Sequence, residues 1–71
     1  MPKIHPASPL RIRRLALGLS QDELAALVGS NGTDVSLIER GRIDRPDLAA
    51  KLRAALANLE RQSRRAHSAA R

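Results

Sequence analysis

Residues 19–41, LSQDELAALVGSNGTDVSLIERG, constrain the fold more than any other part of the chain. Leu24, Ala25 and Val28 fall at i, i+1 and i+4, on one face of a short helix. Val35 and Ile38, at i and i+3, give a second segment a narrower apolar side. Gly29 stands between them, where a helix can stop and the chain can turn. Each segment opens on a residue suited to cap it. Ser20 with Glu23 three residues on is an S-x-x-E capping box, and Asn31 with Asp34 is a shorter version of that pairing. The pattern predicts two short helices around a tight turn, the second running to about Arg40 and ending at Gly41.

The flanking sequence extends this helical reading. Ser8 followed by Pro9 resembles an N-cap with proline at the first helical position, opening a helix over residues 9–17 that ends at Gly18. Residues 42–45 form a basic loop, and Pro46 suits the first turn of a last helix. There Leu48, Leu52, Leu56 and Leu59 form one apolar stripe at i, i+4, i+8 and i+11. That helix is expected to end near Ser63. The resulting division is a flexible arm at 1–8, a folded domain at 9–63, and a basic, disordered tail at 64–71. The fold class is all-α: a small bundle of four helices, or five if a short one closes it.

Composition removes several classes of function. With 71 residues and no cysteine, the chain forms one small domain and has neither a disulfide nor a thiolate zinc site to support it. It lacks Phe, Tyr and Trp, so the stacking platforms of RNA-recognition sheets and OB-folds are missing. Its apolar runs are too short to span a membrane, and its first residues lack the apolar run of a signal peptide; a cytoplasmic location is expected. His5 and His67 fall in the expected arm and tail. No Ser/His/Asp or metal constellation can be assembled, so no catalytic residue, metal, cofactor or small-molecule ligand is expected.

The net charge of +6 is unevenly spread. Residues 1–14 carry four basic groups and no acid, and so do residues 61–71, whereas 15–60 hold all seven acids against five Lys and Arg. The basic ends either solvate the chain or touch phosphates. One further arginine is awkward. Leu10, Arg14 and Leu17 share a helical face, and an unpaired buried guanidinium costs several kcal/mol. Either Arg14 pairs with Glu39, tying the first helix to the third, or it reaches solvent and Glu39 is exposed.

Two short amphipathic helices around a glycine turn are the plan of a helix-turn-helix, whose second helix enters a DNA groove. The residues resemble the Cro and phage-repressor group, the lambda-repressor-like domains. The likeness lies in GLSQDELA at 18–25, LVG at 27–29, IERG at 38–41 and RP at 45–46, and it covers about residues 10–57. It implies a double-stranded DNA-binding regulator in a bacterial cell or phage-infected host. Gln21 would be the phosphate clamp at a helix N-terminus. Asn31, Gly32, Thr33 and Leu37 would face base edges or nearby phosphates, with Ser36 close by. Arg40 and Arg42 would bind phosphate, Arg45 would approach the minor groove, and the Arg14–Glu39 ion pair would be structural.

Some positions depart from that group. Gly32, Asp34 and Leu37 stand where it usually carries Gln, Arg, Lys, Ser or Thr. Glycine reads no base, Leu37 can touch only a thymine methyl, and Asp34 either caps the helix or accepts from a cytosine amino group. Modest base specificity follows, with weight on backbone contacts and DNA shape. No short fifth helix, the usual dimer contact, is evident. A second stripe of Ile12, Leu15 and Leu19 either packs on the last helix or forms a dimer patch, so a homodimer on an inverted repeat stays open. A chain of this length leaves no room for a ligand-sensing domain. The competing reading is an antitoxin or adaptor that holds a partner protein through the leucine stripe. RNA binding is a third.

Overall fold

The computed structural model describes residues 8–69, which form four helices and no strand. In α1 (Pro9–Ala16) the Ser8 side chain accepts from the Arg11 N–H at 3.2 Å, and Pro9 occupies a position whose N–H would have no helical partner. In α2 (Gln21–Leu27) the capping box is complete. The Ser20 hydroxyl accepts from the Glu23 N–H at 3.0 Å, and the Glu23 carboxylate accepts from the Ser20 N–H at 2.8 Å. Asn31 caps α3 (Gly32–Glu39), its side-chain oxygen accepting from the Asp34 N–H at 2.9 Å.

The expected reciprocal bond from Asp34 is not formed. Its carboxylate accepts from the Ser30 hydroxyl at 3.4 Å and the Asn31 side-chain amide at 3.5 Å. The shorter Asp side chain bonds to neighbouring side chains instead of the capping residue's backbone.

Between α2 and α3 the turn is made by Gly29, at φ +70°. This left-handed conformation lets the Ser30 N–H reach back to the Ala25 carbonyl at 2.9 Å and the Gly29 N–H to Ala26 at 3.4 Å. The same backward bonding ends α1, through Leu19 N–H to Arg14, and α3, through Arg42 N–H to Leu37. Three repeats of one stop signal keep the first three helices to seven or eight residues.

The last helix, α4 (Pro46–Ala69), has 24 residues and does not stop near Ser63. No glycine or proline follows Pro46, and Ala, Arg and Gln are good helix formers, so propensity carries the helix past its last apolar contact. The expected tail is therefore helical through Ala69. Residues 70–71 and residues 1–7 of the expected arm lie outside the described residues.

Packing follows the stripes. Leu24, Val35, Leu52 and Leu56 are fully buried, with Leu10, Ala25 and Leu48 beside them. At about 1.5–3 kcal/mol for each large side chain, this cluster is the main stabilising contribution. Most of the α4 stripe thus serves the chain's own core; Leu59 is only half-buried. Of the two alternatives for the second α1 stripe, packing on α4 fails for Ile12 and Leu15, which are 55% and 54% exposed, as the other alternative has them. The α1 face carrying Leu10 and Arg14 turns inward, which leaves Ile12 and Leu15 outward, and Arg13 beside it reaches Glu60 of α4. Leu19, beyond the helix end, does join the core.

Candidate nucleic-acid interface

A shallow groove runs between the start of α2 and the outer face of α3, lined by Gln21, Asp22, Gly32, Thr33, Ser36, Leu37 and Arg40. Six of these are residues that the sequence singles out. The capping geometry explains why they meet: Ser20 fixes where α2 begins, Asn31 fixes where α3 begins, and the Gly29 turn packs the two helices together. Asn31, Arg42 and Arg45 lie outside that groove. The Asn31 side chain is occupied in capping, and Arg42 and Arg45 are exposed in the loop before α4. Arg45 lies 3.5 Å from Asp47, an exposed pair of little energetic weight.

Behind the groove sits a buried polar network. Arg14 and Glu39 are 6% and 8% exposed and form a bidentate pair, Nε–Oε2 at 2.6 Å and Nη2–Oε1 at 3.1 Å. Arg14 Nη1 donates to the Leu19 carbonyl at 2.8 Å, which ties the α1–α2 connection into the network. Gln21 Nε2 donates to Glu39 Oε1 at 3.1 Å. The Glu39 carboxylate therefore holds α1, the start of α2 and the end of α3 in one arrangement. No buried side-chain N or O among the described residues lacks a partner, so the network meets the condition under which a buried ion pair is tolerated.

At the far end of α3, Arg40 does not extend along the loop. Its side chain folds back one helical turn, and both Nε and Nη2 donate to Ser36 Oγ, at 3.1 and 2.6 Å. At the near end, Asp22 explains Gly32. A Cβ on residue 32 would stand 2.0 Å from Asp22 Oδ1 and 3.0 Å from Cγ. Gly32 thus makes room for a side chain of α2. The Asp22 carboxylate also lies against the first residue of α3, where negative charge is favoured.

Sequence reasoning passed over Asp22 and the Arg13–Glu60 pair, whose bonds are 2.9 and 2.8 Å. Asp22 gave a weak signal as an acid in a first helical turn opposite a glycine. Glu60 gave a stronger one, being the last acid in an otherwise basic stretch. The Arg13 bond lowers the Glu60 pKa and raises that of Arg13. The Ser20 backbone N–H lowers that of Glu23, and the Leu48 N–H, aided by Arg45, lowers that of Asp47.

Among the described residues no group of three or more His, Cys, Asp or Glu side chains could hold a metal ion, and no helix is long and apolar enough to cross a membrane. The sequence profile of a family described as helix-turn-helix domain matches residues 7–67. No curated protein and no solved structure matches the chain significantly.

Proposed function

The chain belongs to the helix-turn-helix domain family, and from that premise we propose that it is a transcriptional regulator that binds operator DNA. In this reading it is Cro-like or repressor-like, of bacterial or phage origin, and acts in the cytoplasm of the cell or infected host. It lays α3 in the major groove. The observation that carries the reading is the convergence of Gln21, Thr33, Ser36, Leu37 and Arg40 on one open groove.

The roles follow from position. Gln21 opens α2, where the helix end favours a phosphate, and the Glu39 carboxylate orients its amide. Thr33, Ser36 and Leu37 face base edges or flanking phosphates, with Asn31 and Gly32 at the helix entry. Arg42 and Arg45 follow the backbone from the loop. A second copy on an inverted repeat would place two α3 helices about one DNA turn apart, roughly 34–36 Å. Occupancy of the operator then blocks polymerase. The antitoxin or adaptor reading loses most of its surface, because Leu48, Leu52 and Leu56 are buried in the core.

Selection of bound duplexes from a random pool at near-physiological salt tests the proposal. Enrichment of a defined sequence is expected, as paired half-sites if the chain acts as a dimer. Binding that enriches no sequence and disappears as salt rises would overturn it.

A further inference from the structure

The α3 face is short of groups that can identify a base. Gly32 has no side chain, Val35 is buried, and Leu37 carries no hydrogen-bonding group. Thr33 and Ser36 each offer a hydroxyl, which bonds to many acceptors and donors alike. One residue lining the groove has two parallel donors. Arg40 lies at the end of α3, and both bonds to Ser36 use the side edge of its guanidinium, Nε and Nη2. The end edge, Nη1 with the second N–H of Nη2, makes no hydrogen bond to another described residue. Two parallel N–H groups on that edge match O6 and N7 of guanine in the major groove.

The tether matters as much as the edge. An arginine that only neutralises phosphate gains little from being held in one rotamer. A base reader gains more, because ordering a long side chain on binding costs conformational entropy. Ser36 accepts both N–H groups of the side edge, and this draws Arg40 away from the loop onto α3 beside Thr33 and Leu37. We propose that Arg40, positioned by Ser36, reads a guanine in the major groove and is the main determinant of base specificity in this chain. The inference rests on the DNA-binding reading above and replaces the phosphate role expected for Arg40.

The test uses the full chain and the duplex that it selects. The selected half-site should contain a guanine whose replacement weakens wild-type binding by about 5- to 150-fold. Substituting 7-deazaguanine at that position removes only the N7 acceptor. It should weaken the wild type and leave the affinity of Arg40→Ala, which has no side-chain donor, nearly unaltered. Ser36→Ala should lose part of the guanine preference.

If wild type and Arg40→Ala lose the same factor on 7-deazaguanine, or neither loses any, the base-reading role is overturned. Ser36→Ala with its full preference would overturn the positioning role. A selection that enriches a sequence lacking any such guanine overturns this inference alone. One that enriches nothing overturns the DNA-binding reading with it.

Discussion

Glu39 and Arg14, 25 residues apart in sequence, meet through two hydrogen bonds in the interior, and the same carboxylate also holds Gln21. The residue that ties α3 to α1 from behind therefore also orients Gln21, the residue proposed to touch the DNA backbone in front. A domain of 71 residues has a net stability of roughly 4–11 kcal/mol. Leaving either charge buried and unpaired costs about 3–5 kcal/mol. Glu39→Ala and Arg14→Ala should each unfold at much lower urea concentration than the wild type. Arg14→Met combined with Glu39→Leu should recover most of the loss, because an apolar pair leaves no uncompensated charge. A loss below about 1 kcal/mol for Glu39→Ala would mean that water replaces the partner.

The two faces of the groove predict different binding defects. Gln21 sits at a helix start and contacts no base in the proposed mode, so Gln21→Ala should weaken binding to every duplex by a similar factor. Thr33 is exposed on α3, and Thr33→Ala should change the ranking among sequences. Competition binding with a panel of duplexes separates the two. If Thr33→Ala lowers all sequences alike, it has no base-reading role.

Several of these relationships were legible in the sequence and others were not, for physical reasons. Caps and stops depend on residues within a few positions of one another, so Ser8, Ser20, Asn31 and Gly29 could be placed without coordinates. The Arg14–Glu39 pair was accessible because a charge on an apolar face demands a partner. The end of α4 was not legible from its apolar stripe, because backbone propensity with no glycine or proline suffices to extend the helix beyond it. The exposure of Ile12 and Leu15 was hidden because α1 carries two apolar stripes and only the one with Leu10 faces the core, a choice made by packing against residues distant in sequence. The Arg40 conformation was hidden for a third reason: a side chain that follows a loop and one folded onto its helix look identical in sequence.

Acid should weaken the domain through its paired surface carboxylates. Glu23 and Glu60 have folded-state pKa values below the usual glutamate range, from the Ser20 backbone bond and the Arg13 bond respectively. A depressed value adds stability that is fully present above the unfolded-state pKa, near 4.3, and is lost as pH falls through the lower folded value. Stability should therefore be flat from neutral pH down to about 5 and decline below that. Glu23→Gln and Glu60→Gln should each make the decline shallower in thermal melts across pH. A decline that is identical in both variants and the wild type would place the acid sensitivity elsewhere.

The basic end of α4 predicts a salt effect. Arg61, Arg64 and Arg65 are exposed on a helix that continues to Ala69, so their charges are held on a fixed frame. If they bind phosphates, replacing all three by Gln should reduce the slope of log affinity against log salt. The reduction should be about 0.9 for each phosphate that is no longer neutralised. An unchanged slope would assign these residues to solubility.

Asp22 and Gly32 predict a coupled effect on stability. In a helix interior alanine is favoured over glycine by about 0.8–1 kcal/mol, and residue 32, the first of α3, gains part of that. At residue 32, however, the new methyl must displace the Asp22 carboxylate, whose Oδ1 lies 2.0 Å from the position a Cβ would take. That carboxylate is exposed and can swing away, but it then leaves the α3 N-terminus, where a negative charge contributes about 0.3–1 kcal/mol. The two effects nearly cancel, so Gly32→Ala alone should change the melting temperature little. In an Asp22→Ala background nothing has to move, and the same substitution should raise it, at about 4–8 °C per kcal/mol gained. Thermal unfolding of the four chains measures the coupling directly. An equal response of Gly32→Ala in both backgrounds would show that Asp22 does not determine the need for glycine at the start of α3.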